Sequence, residues 1–273
     1  MSGNRDNCLC ELAGRVYNRH VHYYGKARVH IFPTPQVMGE AAAAQAAQII
    51  QQAIAERGRA RIIVATGNSQ IESIEALTRR SDVDWKNVDV FHLDEYVNLP
   101  PTHPSSFVHW IQTRLVDKVH PGRIEFIAGD APDLDAELKR YAAVLHEAPN
   151  DLGFVGFGEN GHIAFNDPPV ADFQDPLAIK RVVLDEACRR QQAGEGHFKD
   201  VESVPREAAT VTCSELLRIK AWVCCVPERR KAEAVRNALE GPISTACPAS
   251  IVREHPNATV YLDEESASML DRA

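Results

Sequence analysis

Short apolar runs alternate with longer amphipathic segments along this chain. The apolar or alternating runs predict strands at residues 28–32, 61–65, 88–93, 123–127, 179–184, 220–226 and 259–262, and at the start of residues 153–168. Helical periodicity predicts helices at residues 37–57, 71–79, 107–116, 134–146 and 227–239. Because strands and helices alternate without a linker or an internal repeat, the pattern predicts a single-domain α/β fold with a mainly parallel central sheet flanked by helices.

Two regions lack a clear period. Residues 1–25 form an N-terminal arm that is either flexible or packed against a neighbouring subunit, so a homo-oligomer is an open expectation, and residues 26–273 form the folded domain. Residues 188–198 are polar and contain the adjacent guanidinium groups of Arg189 and Arg190. This segment is either a lid or anion clamp over a site, or a solvated loop.

Composition narrows the classes of partner. The chain has 273 residues and a net charge of −8, and no lysine or arginine cluster is large enough to bind nucleic acid. A small anionic ligand remains compatible, because a local site can oppose the global charge. The apolar runs are too short to span a membrane and the polar N-terminus does not resemble a signal peptide, so we expect a cytoplasmic protein without a membrane partner.

Seven cysteines are scattered along the chain and predict no disulfide framework. Cys224 and Cys225 lie in a predicted core strand, where they act as small apolar residues. Cys8 and Cys10 lack a second pair at the spacing of a zinc site, so the sequence predicts no metal.

Residues 153–168 hold the strongest candidate chemistry. An apolar run breaks into Gly156, Gly158 and Gly161, and the imidazole of His162 and the carboxylate of Asp167 follow within a few residues. Glycine lets a ligand approach the main chain, as the carboxyl end of a parallel strand requires where a ligand binds. Taken alone, the stretch is equally compatible with a Gly-rich turn that carries a surface histidine.

Two other strands end in polar turns. Residues 66–69 read Thr-Gly-Asn-Ser between a buried strand and a helix, an arrangement that binds phosphate or that simply caps the helix through Ser69. Asp94 and Glu95 close the next strand. A buried carboxyl group beside a like charge has a raised pKa, which suits a base in proton transfer, whereas the alternative is that Asp94 caps a turn.

Three motifs in this order carry a family resemblance: residues 65–69, residues 93–106 and residues 156–168. Together they closely resemble the glucosamine-6-phosphate deaminase (isomerase) family, over about residues 28–269. The resemblance implies a modified Rossmann-like α/β fold. It also implies the conversion of glucosamine 6-phosphate and water to fructose 6-phosphate and ammonia, a small sugar phosphate as partner, and no organic cofactor or catalytic metal.

The resemblance also implies roles for individual residues. Asp94 matches the base that moves a proton between C2 and C1, and His162 matches the residue that helps to open the sugar ring. Asp167 stands where the family commonly has a glutamate that orients this histidine, and Asn160 stands at a position occupied by Asp or Asn. The matching substrate-binding positions are Thr66, Gly67, Asn68, Ser69, Glu95, Gly156, Arg189 and Lys231.

Departures from the family pattern keep two other functions open. The related 6-phosphogluconolactonases share the phosphate turn and a Gly-rich histidine loop, but they carry Asp-Glu-Arg where this chain has Asp-Glu-Tyr at residues 94–96. Asn160 and Asp167 motivate a third hypothesis, a sugar-phosphate-binding protein with weakened chemistry. Residues 170–173 lack the serine pair and arginine with which enteric enzymes bind an N-acetylated activator, so we expect no such activation.

Overall fold

The computed structural model describes residues 8–12, 15–19 and 21–271, with side chains described from residue 21 to residue 271. The strands are β1 Cys8–Leu12, β2 Arg15–Arg19, β3 Val21–Tyr24, β4 Ala27–Phe32, β5 Ala60–Val64, β6 Val88–His92, β7 Asp94–Tyr96, β8 Arg123–Ile124, β9 Leu152–Val155, β10 Ile179–Val183, β11 Glu207–Val211, β12 Trp222–Val226 and β13 Ala258–Asp263. The α-helices are α1 Pro35–Arg57, α2 Ile71–Thr78, α3 Phe107–Ile111, α4 Asp117–Val119, α5 Leu134–Leu145, α6 Glu186–Gly194, α7 Cys213–Leu216 and α8 Ala232–Glu240. Shorter helical turns are the 3₁₀ segments Asn68–Gln70, Trp85–Asn87, Val201–Ser203, Arg229–Lys231 and Pro248–Glu254, and the π-helical segment Gln112–Val116.

The main sheet has eight strands in the order β3-β4-β13-β12-β9-β5-β6-β8. The seven strands from β4 to β8 in this order are all parallel, and only β3, at the edge, runs antiparallel to its neighbour β4. This confirms the predicted α/β fold with a mainly parallel sheet. Residues 21–24, which we assigned to the N-terminal arm, are the edge strand β3 of this sheet.

Helices cover both faces of the main sheet, which explains why its strands are continuous apolar runs. In β5, Ile62 and Val64 pack in the core beneath α1, and Ile63 packs in the core on the opposite face. The alanine-rich α1 lies close to α2: a Cβ atom at Gly39 would be 2.6 Å from the Cβ atom of Glu72. Gly58 ends α1 in the left-handed conformation, at the position where the sequence predicted a cap.

A second, antiparallel sheet has three strands in the order β10-β11-β7. Asp94 and Glu95, which we placed at the end of the preceding strand, instead form the separate strand β7 with Tyr96 and pair with β11. Residues 188–198, interpreted as a clamp or a loop, begin within helix α6. The sequence did not predict β11 at all. A third apolar cluster that includes Tyr96, Phe107 and Phe165 packs against this sheet.

The remaining predictions about membranes and cysteines have separate outcomes. Among the described residues, no helix combines the length and the apolar composition needed to cross a membrane. Cys224 and Cys225 are fully buried in β12, on opposite faces of the sheet, which confirms their role as small core residues. The side chains of Cys8 and Cys10 lie outside the described part of the structure.

Candidate active site

A cleft opens at the carboxyl ends of four adjacent parallel strands, β12, β9, β5 and β6. It encloses about 640 Å³, part of it open to solvent. Ligands of open α/β sheets bind at this edge, because the loops that follow parallel strands meet there. Each of the four strands delivers residues that the sequence marked as candidates: residues 66–69 after β5, Asp94 after β6, Gly156 and His162 after β9, and Lys231 after β12.

Residues 66–69 form one wall of the cleft and lead into α2 through a 3₁₀ turn. Gly67 has a φ of +101°, a backbone conformation that residues other than glycine rarely adopt. Ser69 does not cap α2; its Oγ accepts a hydrogen bond from Nε2 of Gln70 at 3.1 Å. The alternative in which Ser69 caps the helix is therefore wrong. The turn instead presents polar groups at the start of α2, the positive end of its helix dipole.

Gln70 supports this turn from below and was not a candidate in the sequence. Its fully buried side chain also reaches the carbonyl oxygens of Val155 and Cys225, each at 3.3 Å. The first carbonyl ends β9 and the second lies in β12, so one amide group connects the turn after β5 to the two neighbouring strands. The position of Ser69 is thereby tied to the central sheet.

The glycines after β9 leave room for the side chains of His162 and Gln70. A Cβ atom at Gly158 would be 2.1 to 2.3 Å from ring atoms of His162, far inside van der Waals contact. A Cβ atom at Gly156 would be 3.0 Å from Nε2 of Gln70. The motif therefore has glycine where the imidazole and the buried amide occupy the space that a side chain would need.

His162, Asp167 and Asn160 form a connected group beside the cleft. Nδ1 of His162 lies 3.1 Å from Oδ1 of Asp167, and Nδ2 of Asn160 donates to the same oxygen at 3.0 Å. The Asn160 side chain also accepts a hydrogen bond from the backbone N–H of His162 at 3.0 Å. Although burial by itself raises the pKa of Asp167, the imidazole of His162 and the amide of Asn160 outweigh it and lower that pKa. The shorter Asp167 therefore still reaches the histidine, and Asn160 supplies a donor that an ionised aspartate would lack.

Asp94 is the buried carboxyl group of the cleft wall, with a relative exposure of 6%. Strand β7 holds its backbone opposite Thr210 of β11. Burial raises the pKa of Asp94 well above its ordinary value of 3.8, and the negative charge of Glu95 adds to this effect. A carboxylate in this state is a stronger base than a solvated one, which suits proton abstraction from carbon.

The turn after β12 brings the positive charges of Lys231 and Arg230 into the cleft. Lys231 is almost fully buried, and burial lowers its pKa while nearby carboxylates, first among them Glu195, oppose that change. Nζ of Lys231 lies 3.6 Å from the Glu195 carboxylate, and Nη1 of Arg230 lies 3.5 Å from it. The side chains of Lys231 and Arg230 line the same cleft as residues 66–69.

This constellation agrees with comparisons to known proteins. A sequence model of the family described as glucosamine-6-phosphate isomerases/6-phosphogluconolactonase matches residues 33–261. The chain belongs to this family. Two curated members, the glucosamine-6-phosphate deaminases of Bacillus thuringiensis (strain Al Hakam) and Bacillus cereus (strain AH820), are each 35% identical over 243 residues, which is 89% of this chain and 89% of theirs.

Solved structures of the family give the same result for the fold. A monomeric glucosamine-6-phosphate deaminase superposes with a TM-score of 0.82 at 31% identity, covering 89% of this chain and 99% of that chain. The 6-phosphogluconolactonase of Trypanosoma brucei superposes with a TM-score of 0.72 at 16% identity, covering 89% of this chain and 98% of that chain. At this lower identity the likeness shows the fold alone, and both structures confirm the Rossmann-like fold that the sequence predicted.

Glu95, one of the residues expected to bind substrate, does not line the cleft. Its carboxylate accepts hydrogen bonds from Oγ of Ser106 at 2.6 Å and from the backbone N–H groups of Val108 at 2.9 Å and Phe107 at 3.2 Å. It therefore caps the start of α3. Successive side chains of a strand point to opposite faces, so Asp94 and Glu95 cannot both face the cleft from β7.

Arg189, expected in the phosphate clamp, also points elsewhere. Its guanidinium group donates to the carbonyl oxygens of Val201 at 2.6 Å and Val204 at 3.2 Å, and so connects α6 to the following 3₁₀ turn. Arg190 is exposed and pairs with Glu186 at 2.5 Å. Arg230 lines the cleft instead. Its place beside Lys231 was the one signal in the sequence that could have identified it.

Cys188 is a further neighbour of this site that the sequence did not reveal. Ligand atoms of His162, Asp167 and Cys188 lie within 4.8 Å of one another, so this group of described residues has the composition to hold a metal ion. Burial raises the pKa of the Cys188 thiol, and the nearby Asp167 carboxylate raises it further. The Cys188 thiol is therefore neutral beside the carboxylate that contacts His162.

Proposed function

We propose that this chain is a glucosamine-6-phosphate deaminase, which converts glucosamine 6-phosphate and water to fructose 6-phosphate and ammonia. One observation carries the proposal: Asp94, His162, residues 66–69 and Lys231 come from four different strand ends and line one cleft. A base, an acid/base imidazole and an anion site in one cleft are what an amino-sugar phosphate requires. The 35% identity to curated glucosamine-6-phosphate deaminases supports this substrate class.

In the proposed mechanism, the phosphate ester binds at the turn of residues 66–69. Thr66 and Ser69 donate from their hydroxyl groups, the start of α2 contributes its dipole, and Lys231 and Arg230 contribute charge. This contact lies away from the reacting carbons, so its binding energy orients the sugar rather than activating it.

His162 opens the pyranose ring. Ring opening of a hemiacetal moves a proton from the O1 hydroxyl group to the ring oxygen, and an imidazole can accept a proton at one oxygen and donate one at the other. Asp167 and Asn160 hold the ring of His162 in place as positioning residues. The open-chain aldehyde then has an acidic proton at C2.

The Asp94 carboxylate removes the C2 proton while O1 gains a proton, which gives an enolamine. The Asp94 carboxyl group then returns its proton to C1 as the amino group loses one, which leaves an imine at C2. Water adds to C2, the C2–N bond breaks, and ammonia leaves as the carbonyl of fructose 6-phosphate forms. The buried position of Asp94 supports this role, because a raised pKa increases the driving force for taking a proton from carbon.

The proposal extends to assembly and location. Every residue to which we give a role comes from one chain, so the reaction as proposed needs no second subunit; light scattering of the purified protein measures its oligomeric state. We place the reaction in the cytoplasm, and the role of residues 1–25 as a subunit-contacting arm stays a prediction.

The test of the proposal is ammonia release from glucosamine 6-phosphate by the wild type and by Asp94→Asn. We expect the substitution to lower kcat by about 100- to 10,000-fold, the range for loss of a general base. Asp130→Asn makes the same chemical change at an exposed position and is expected to keep wild-type turnover. Asp94→Asn with full turnover would show that the base is another residue.

The same assay separates the two alternatives. Hydrolysis of 6-phosphogluconolactone without ammonia release from any hexosamine phosphate would establish a lactonase. Thermal stabilisation by glucosamine 6-phosphate without turnover would establish a binding protein. Tyr96, at the position where lactonases typically carry arginine, is fully buried and donates its hydroxyl proton to Gln192 at 2.9 Å, which does not favour the lactonase.

A further inference from the structure

A carboxylate occupies the cationic end of the cleft. The Glu195 side chain, only 6% exposed, lies at the C-terminus of α6 and lines the same space as residues 66–69. Its carboxylate is 3.5 Å from Nη1 of Arg230 and 3.6 Å from Nζ of Lys231. Neither the family motifs nor the proposed chemistry gives this residue a role.

Glu195 carries its full negative charge at neutral pH. Burial by itself would raise its pKa, but His197, Lys231, Arg230 and Gln191 together outweigh burial and lower the pKa to about 2. The closest of these contacts is the hydrogen bond from Nε2 of Gln191 at 2.8 Å. The two cations of the cleft are therefore already paired with an anion of the same chain.

We propose that Glu195 is an internal competitor of phosphate: in the free protein its carboxylate holds the place at Lys231 and Arg230 that the phosphate group of a ligand must take. The inference rests on the proposed function, which assigns this end of the cleft to the phosphate ester. Carboxylate and phosphate oxygens seek the same donors, and two anions at about 4 Å repel each other strongly where water is excluded. Phosphate affinity is thus reduced by the work of displacing Glu195.

The surroundings of Glu195 offer its carboxylate a second position. A neighbouring cleft shares Glu195 and Asn68 with the first and is lined on its other side by His109, Arg114 and His197. Nε2 of His197 already lies 3.3 Å from the Glu195 carboxylate. The displaced side chain would therefore move toward Arg114 and keep its contact with His197.

The backbone around Glu195 has room for this movement. Gly194 and Gly196 flank it, and a Cβ atom at either position would meet no other heavy atom within 4 Å. Gly196 has a φ of +82°, which other residues rarely adopt. A side chain at the end of a helix, between two unobstructed glycines, can change its direction without moving the sheet.

The experiment measures binding of inorganic phosphate by isothermal titration calorimetry, with no turnover involved. We expect Glu195→Gln to bind phosphate about tenfold more tightly than the wild type, the effect of removing one partly screened charge. Glu159→Gln is the matched control, because Glu159 also faces Arg230, at 3.7 Å, but is 40% exposed. The control is expected to change phosphate affinity by less than about twofold, as is usual for exposed pairs.

Two further variants keep the result interpretable. Glu195→Ala removes the charge without a polar replacement and must shift phosphate affinity in the same direction as Glu195→Gln. Adding Lys231→Met to Glu195→Gln must abolish the gain, since the gain is assigned to the cations that Glu195 pairs with.

Phosphate binding to Glu195→Gln that is equal to or weaker than wild-type binding overturns the proposal, because Glu195 would then be a partner that keeps Lys231 charged. A gain that survives Lys231→Met also overturns it, because phosphate would be binding elsewhere. Failure of the deaminase assay leaves this measurement unaffected, so the two proposals fail separately.

Discussion

Two buried aspartates next to the same cleft have opposite pKa shifts, and their neighbours explain the difference. Burial and the adjacent Glu95 raise the pKa of Asp94. Asp167 is also hidden from solvent, but the imidazole of His162 and the amide of Asn160 lower its pKa. Pairs of acids whose environments separate their pKa values often mark distinct acid–base roles. Here Asp94 suits the base, and Asp167 suits a permanently charged partner of the histidine.

The raised pKa of Asp94 predicts how activity and stability depend on pH. As pH falls, kcat/KM of the wild type should decline around an apparent pKa above the ordinary 3.8, because the base must be ionised. In the unfolded chain Asp94 ionises at its ordinary pKa, so the folded wild type loses stability as pH rises from 3.8 toward the raised pKa. Asp94→Asn should therefore have a higher free energy of unfolding than the wild type at pH 7, and this advantage should vanish below pH 3.8.

Urea unfolding of both proteins over this pH range measures the difference. An Asp94→Asn protein that is less stable than the wild type at neutral pH would show that Asp94 is not held in an unfavourable charged state. Asp130→Asn, at an exposed position, serves again as the matched control.

Among the elements, the loop after β9 and the strand β7 position His162 and Asp94 in the cleft. The loop places His162 against the backbone of Gly158, where a Cβ atom would overlap the imidazole. Strand β7 turns Asp94 toward the cleft and Glu95 toward α3. The sequence predicted the loop because glycines are visible in it. It did not predict β7, because pairing with β11 joins segments that are far apart along the chain, such as Asp94 and Thr210.

The loop predicts a sharp effect for Gly158→Ala. The added methyl group would have to displace His162, so we expect kcat to fall by about 100-fold, at the low end of the loss of an acid–base group, while overpacking costs about 1 to 3 kcal/mol of stability. Gly194→Ala is the matched control, because no heavy atom lies within 4 Å of the position that its methyl group would take and its φ is not left-handed. Steady-state kinetics and thermal unfolding of both variants check the prediction; equal turnover in the two variants would contradict it.

At the scale of the whole molecule, a parallel sheet and an antiparallel sheet meet at Leu93, between the end of β6 and the start of β7. The mainly parallel sheet supplies residues 66–69, the loop that carries His162, and Lys231, and the antiparallel sheet supplies Asp94. The segment after Pro169 lies at the far strand of the antiparallel sheet, where Nζ of Lys180 donates to the Val170 carbonyl and pairs with Asp175, each at 2.7 Å. The ammonium group of Lys180 is therefore already paired within the chain.

This arrangement supports the expectation that the enzyme is not activated by N-acetylglucosamine 6-phosphate. Residues 170–173 carry no serine pair and no arginine for such a ligand, and Lys180 is occupied. The rate of ammonia release should follow a hyperbolic dependence on glucosamine 6-phosphate, with or without the N-acetylated compound. Sigmoidal kinetics, or a rate stimulated by that compound, would contradict the prediction.

The sequence by itself determined the elements whose signals are local: the buried strands, the long amphipathic helices, the glycine-rich loop and the family to which the motifs belong. Only the tertiary structure decided which polar side chains line the same cleft. It brought Glu195 and Arg230 to the cleft and placed Gln70 and Cys188 behind residues that line it. It turned Glu95 and Arg189 away to hold α3 and α6. The physical reason is that periodicity reports how a residue relates to its neighbours along the chain, whereas the direction of a side chain is set by strand pairing and by hydrogen bonds between distant segments.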